Sequence, residues 1–331
     1  MQRPLIRTAA VFVAAGALAL TGCSADGGDT AGGDEKLTIG ISQIVQHPAL
    51  DSAREGFKEA FADAGYVEGE DVEFDEQNAQ GEQATATTIA SKFATDGVDL
   101  VLAIATPTAQ AAAQAIADIP VLFTAVTEPE EAGLVDSWDA PGANITGTSD
   151  LNPVDEQLAL ITEVLPDAKK VGIVYSSGEV NSEVQVDLAK DAAKELGIEI
   201  VEATVTNSSE VAQATESLGA VDAIYVPTDN RVTEGIEAVV QIAEQKQIPL
   251  FGAEGGQVES GAIATYGIDY TELGYQTGKM ALKILEDGAD PAEMPVETLD
   301  TLSLIVNPAA AERQGVKLPA RLTDEADQTI E

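Results

Sequence analysis

The run VDLVLAIAT (98–106), followed by PTAQAAAQAIAD (107–118) and IPVLFTAV (119–126), decides the fold. The first segment is a short, nearly uninterrupted apolar run, which reads as a strand buried on both faces. The second opens on a proline, is dominated by alanine and ends at Asp118, the signature of a short helix covering that strand. The third is again an apolar strand. Strand, helix and strand in this order make a βαβ unit, whose two strands lie parallel with a right-handed crossover.

The same grammar extends outward. Upstream, KLTIGISQIV reads as a strand and HPALDSAREGFKEAFADAGY as a helix, with Leu50, Ala53, Phe57, Ala60, Phe61 and Ala64 on one face. VEFDEQNA is the next strand and EQATATTIASKFATDG the next helix. After NITGTSDLNP the pattern restarts, with strands KKVGIVYSS, IEIVEATV, VDAIYVPT, IPLFGAE and GAIATYGID separated by helical segments. The long helix YTELGYQTGKMALKILEDG, then LSLIV and PAAAERQG, are more than the second half needs, so the chain is expected to cross back. The fold class is therefore α/β, two doubly wound parallel-sheet lobes. At 331 residues, lobes of about 100–150 residues each are expected. Only 4% of residues are aromatic, which suits Ala-rich helices on parallel strands better than an aromatic-rich sandwich.

Acidic residues number 57 against 17 basic ones, and the formal charge of -40 repels phosphate backbones, so no nucleic-acid partner is expected. The N-terminus reads as an address. Arg3 and Arg7 precede AAVFVAAGALAL, too short for a membrane span, and the run ends in LTGC. Leu20-Thr21-Gly22-Cys23 resembles a bacterial lipobox, which implies a lipoprotein signal peptide over 1–22 and lipid on Cys23, the only cysteine. Residues 23–35, rich in Gly and Asp, have nothing to bury and read as a lipidated flexible tether. The expected location is the outer face of the cytoplasmic membrane, anchored through Cys23.

Ligands of open parallel sheets gather at the carboxyl ends of strands, and two such lobes would turn those ends toward one cleft. The strand ends here are polar. Thr106-Pro107 opens a helix whose N–H groups suit a carboxylate, with Thr106 either capping the helix or facing a ligand. Asn181-Ser182-Glu183 opens a helix with the same ambiguity. Asp150, Asp229 and Asp269 each end an apolar strand, where a carboxylate needs a cation or several donors. An ammonium group would supply the cation; turn amides would supply the donors. Tyr270 and Phe123 can offer ring faces, and Trp138 has no assigned role. His47 is the only histidine, next to Pro48 at a helix entrance. With no HExxH, no GxSxG and no second histidine, neither a metal site nor a catalytic residue is expected, and no phosphate loop or GxGxxG points to a nucleotide; no cofactor is expected.

The ordered set SQIVQHPALDSAREGF, IPVLFTAVTEPEEAGLV, NITGTSD, YVPTDN, LFGAE and GIDYTELGYQTGKMA resembles the tryptophan/tyrosine ABC-transporter substrate-binding family, from about Lys36 to Pro319. The resemblance implies a type I periplasmic-binding-protein fold with lobes joined by a three-crossing hinge, residues 36–149 plus 272–299 forming lobe 1 and 150–271 plus 300–331 lobe 2. It implies a binding protein and not an enzyme, one that captures a small amino acid-like ligand, aromatic in that family, and delivers it to the transmembrane subunits of an ABC permease. By the same resemblance Ser42 and His47 border the first-lobe wall, and Thr106, Thr108, Thr124 and Thr127 donate hydroxyls to the ligand carboxylate. Asn181, Ser182, Asp229 and Asn230 come from the second lobe; Asp229, or alternatively Asp150 or Asp269, pairs with the ammonium, and Tyr270 lines the side-chain pocket. A clamp needs free lobes, so a monomer is expected. Two other classes fit the residues: a sugar- or nucleoside-binding receptor of the same fold, and a secreted carboxylate-based hydrolase.

Overall fold

A computed structural model of the chain describes residues 36–330; the signal-peptide and lipobox readings on 1–35 fall outside the described residues. The first lobe holds β1 (Leu37–Gln43), α1 (Pro48–Asp63), β2 (Val72–Asn78), α2 (Gln83–Asp96), β3 (Leu100–Ile104), α3 (Thr106–Ala115), β4 (Val121–Val126) and β5 (Ile145–Ser149). Its five strands are all parallel, in the order β2-β1-β3-β4-β5. β3 and β4 are buried along their whole length, as a central strand covered on both faces must be.

The second lobe continues with α4 (Val154–Val164), β6 (Lys170–Ser176), α5 (Val180–Leu196), β7 (Glu199–Val205), α6 (Val211–Ser217), β8 (Ala223–Val226), α7 (Asn230–Glu234), α8 (Ile236–Lys246), β9 (Leu250–Gly252), α9 (Gly255–Ser260) and β10 (Ala264–Gly267). Strands β7-β6-β8-β9 form a parallel sheet. Strand alternation divides the apolar residues between two cores. Val171, Ile173, Ala223 and Tyr225 face one side, while Val174, Ile224 and Val226 face the other.

The chain then returns to the first lobe as α10 (Tyr270–Asp287), whose Leu273, Met280, Ala281 and Ile284 join that lobe's core. It passes back to the second lobe as β11 (Ser303–Val306), α11 (Pro308–Arg313), α12 (Ala320–Asp324) and β12 (Gln328–Thr329). One detail departs from the all-parallel expectation: β11 pairs antiparallel with β10. The reason is the excursion itself. Strand β10 ends where the chain leaves the lobe, and β11 begins where it comes back, so the two run in opposite directions. Helix α4 was not anticipated either, although Val154, Gln157, Leu158 and Ile161 are buried at helical spacing. Helix α9 left no periodic signal, being six residues opened by two glycines.

Helices α1 and α10 meet through small residues. A β-carbon on Gly274 would lie 1.8 Å from the Ala53 carbonyl oxygen, and one on Gly56 would lie 1.9 Å from that of Thr271. Backbone-to-backbone contact of this kind leaves no room for even a methyl group. Gly274→Ala is therefore expected to cost about 3 kcal/mol or more, as overpacking of an unyielding core does, measured as a lowered urea midpoint.

Candidate functional site

The carboxyl ends of both parallel sheets bring together a set of buried polar side chains. From the first lobe come Ser42, His47, Thr106, Thr127 and Asp150; from the second come Ser176, Glu179, Asn181, Ser182, Asp229, Asn230 and Glu254, with Tyr270 at the crossing into α10. Local backbone builds this wall. Ala105 closes β3 at φ 81° and ψ 155°, a region that costs a residue with a side chain about 1–3 kcal/mol, and α3 starts immediately after it. Ala125 has φ 56° and sits where the β4–β5 register shifts between Phe123 and Val126. Such a bulge redirects the residues beyond it, here Thr127.

Asp150 is 1% exposed and accepts hydrogen bonds from the hydroxyls of Thr127 (2.9 Å) and Tyr270 (2.9 Å). Burial pushes its carboxyl up, and those two hydroxyls pull it back only in part. Glu254 is buried with Oε2 lacking any hydrogen-bond partner. Desolvation, then the neighbouring charges of Asp150 and Asp229, push it up to about 8. Glu179 accepts from Asn230 (2.7 Å) and lies 3.4 Å from the Arg231 guanidinium; burial and then Asp229 push it up to about 7. These groups form a mutually repelling cluster with a single guanidinium at its edge. A cationic ligand group would relieve it.

The opposite chemistry stands at the first-lobe wall. Ser42 Oγ, Thr106 Oγ1 and His47 Nδ1 are buried without a partner, and the first turn of α3 carries N–H groups that no helical carbonyl reaches. Thr106 does not cap its helix, since the N-cap is Ala105 and no side-chain cap bond forms. His47 is the extended N-cap residue of α1, also without a side-chain cap bond. Burial takes its imidazole down to about 4, against a hydrogen bond with Asn230 and the charge of Asp51.

Not every residue singled out in the sequence joins the cluster as an open binding group. Asp229 is satisfied within its own lobe: Val232 N–H (2.8 Å), Ser176 N–H (2.5 Å) and Ser182 Oγ (2.6 Å) all donate to it, and it caps α7. Asp269 is exposed and caps α10 through the N–H groups of Thr271 and Glu272. Thr108 turns its hydroxyl back onto the carbonyls of Ile104 and Ala105, and Thr124 accepts from Thr148. Asn181 donates to the Thr228 carbonyl and keeps Oδ1 unpartnered. Phe123 is fully buried in the first-lobe core, and Trp138 donates to Glu128 (2.9 Å) in the same lobe. Glu254 and Glu179 were missed. Each stands in a stretch that was recognised as a strand end, but nothing in the sequence separates a buried glutamate from the many exposed ones. Among the described residues, no group of His, Cys, Asp and Glu is arranged to hold a metal ion, and no helix is long and apolar enough to cross a membrane.

The family model for ABC transporter substrate binding proteins matches residues 38–330. The chain belongs to this family. It is 47% identical over 296 residues to a tyrosine-binding protein of Clostridioides difficile strain R20291, covering 87% of this chain and 86% of the relative. Among solved structures, an ABC domain from Streptococcus pneumonia in complex with L-Trp is 36% identical, covers 89% of this chain and all of its own, and superposes with a TM-score of 0.86. A ligand-free, open substrate-binding protein with adhesive properties from Clostridium difficile is 46% identical, covers 89% and 99%, and scores 0.68. Sequence similarity alone would order these two the other way.

The shifted carboxyls make a pH prediction. Glu254 and Glu179 bind protons in the folded state up to about 8 and 7, whereas unfolded glutamates release theirs near 4.5. The folded chain therefore holds more protons than the unfolded chain through that window, and stability falls as pH rises. His47 acts in the opposite sense only between about 4 and 6.5. The melting temperature of ligand-free protein should thus fall from pH 6.5 to pH 8.5, and Glu254→Gln should flatten the slope; an unchanged slope in that variant would refute the assignment.

Proposed function

We propose that this chain is the lipid-anchored substrate-binding protein of an ABC importer for an aromatic amino acid, held between lobes formed by residues 36–149 plus 272–299 and 150–271 plus 300–331. The reading rests on one observation above all. The buried groups lacking partners include Ser42, Thr106 and His47 on the first-lobe side and one carboxylate oxygen, Glu254 Oε2, beside the buried acids Asp150 and Asp229; donors on one side and acids on the other make the complement of a zwitterion. The ligand carboxylate lies against Ser42, Thr106 and the N-terminus of α3, and the ammonium lies between Asp150 and Glu254. Tyr270 borders the side chain, Asn181 and Asn230 contribute from the second lobe, and Ser182 with Asp229 positions them. The tyrosine-binding relative and the L-Trp-bound neighbour support an aromatic side chain. Cys23 carries the lipid and holds the domain outside the membrane, where closure presents it to the permease as a monomer. The family is one of substrate-binding proteins, which supports capture and not turnover.

Calorimetric titration of ligand-stripped protein tests this. Tryptophan, tyrosine or phenylalanine should bind 1:1, and Glu254→Gln and Asp150→Asn should each weaken binding about tenfold or more, as loss of a buried charge partner does. Asp229→Asn should instead lower stability by about 1 kcal/mol through its weakened cap, with a smaller effect on binding. Saturable binding of a sugar or nucleoside with no response to amino acids would overturn the ligand class.

A further inference from the structure

The entrance of α1 reaches across the cleft at two successive residues. His47 is 6% exposed and its imidazole faces the side chain of Asn230, the first residue of α7. Asn230 is itself held by its Nδ2 donating to Glu179 Oε2 at 2.7 Å. Beside it, Pro48 faces Gly256 of α9: a β-carbon on Gly256 would stand 3.3 Å from Pro48 Cβ and 3.8 Å from the Ala49 nitrogen. Ala49 and Leu50 belong to the first-lobe core, whereas Val232 and Val258 belong to a second-lobe core. These two contacts therefore bridge bodies that separate when the cleft opens.

We infer that the His47-Pro48 entrance of α1 is the closing latch of the clamp, and that Gly256 is the residue that permits it to seat. The physical argument is the absence of a side chain. Gly256 has no backbone reason to be glycine, since its φ lies outside the left-handed region; what it provides is space for Pro48. A methyl group there asks the proline to give by a few tenths of an ångström. A larger group crowds Pro48 further and disfavours the seated arrangement. Gly256 is thus a positioning residue. It acts on the fraction of molecules able to close, and the apparent dissociation constant rises in inverse proportion to that fraction.

This inference deepens the proposed function and rests on it for the binding readout, so the test carries a second readout that does not. In the full chain with Cys23→Ser, the substitutions Val67→Cys and Leu188→Cys place probes on exposed positions of the two lobes. The interprobe distance is measured with and without L-tryptophan in backgrounds carrying Gly256→Ala, Gly256→Leu and Gly256→Trp. The latch predicts a graded shift toward longer ligand-free distances in the order Ala, Leu, Trp. It also predicts an affinity loss of about tenfold or more for Leu that is equal for tryptophan, tyrosine and phenylalanine. Unchanged distances across the series would overturn the latch, as would a loss that differs among the three amino acids, which marks ligand contact instead. If the parent binds none of the three, the proposed ligand fails, and the ligand-free distances still decide the latch.

Discussion

Like-charge repulsion among buried carboxylates is the constraint on which the rest of this structure depends. Asp150, Glu179, Asp229 and Glu254 are all buried where the lobes meet, and each is pushed toward its neutral form. Desolvation alone would make such a set prohibitive. The fold answers by surrounding three of them with donors: hydroxyls on Asp150, amides and a guanidinium on Glu179, backbone N–H groups on Asp229. Glu254 receives little, a long contact from Gln257 at 3.4 Å and a hydrogen bond from Thr233, and its Oε2 has no partner. The protein thus stores an unmet electrostatic demand at one point, and the partner that meets it is drawn there.

The donor side is shaped by backbone rather than by charge. Ala105 and Ala125, both at positive φ, end two adjacent strands of the first sheet and turn Thr106 and Thr127 to different tasks. Thr127 fixes Asp150, while Thr106 keeps its hydroxyl free. Tyr270 completes the arrangement from the first residue of α10. Its bond to Asp150 ties the crossing after β5 to the crossing after β10, so that the hinge is pinned at the same carboxylate that borders the cleft.

Much of this was legible before any coordinates. The apolar runs of β1, β3, β4, β6 and β8, with polar residues at their ends, specify the parallel sheets and point to the cleft. What the sequence did not reveal is which acidic residues are unmet. Asp229, Asp269 and Glu254 all follow apolar runs and all take an extended N-cap position, yet the two aspartates spend their oxygens on helix caps, and the glutamate, one methylene longer, makes no cap bond. That distinction lies in residue type, but it can be read only where Glu254 is known to open a helix, and the six residues of α9 leave no periodic signal. The antiparallel β10–β11 pair was likewise invisible, since it follows from the path of the whole chain.

The glycine-lined contact between α1 and α10 also governs the order in which the molecule can be completed. Residues 48–63 leave the ribosome early, but the helix that covers them, 270–287, is separated from them by the second lobe's central strands. Until it emerges, Ala53, Phe57 and Ala60 have no partner on that face. The second lobe waits longer still, since residues 304–322 complete its two cores. A nascent chain of this protein is therefore most exposed to misassociation at its own beginning, for as long as roughly two hundred further residues take to appear.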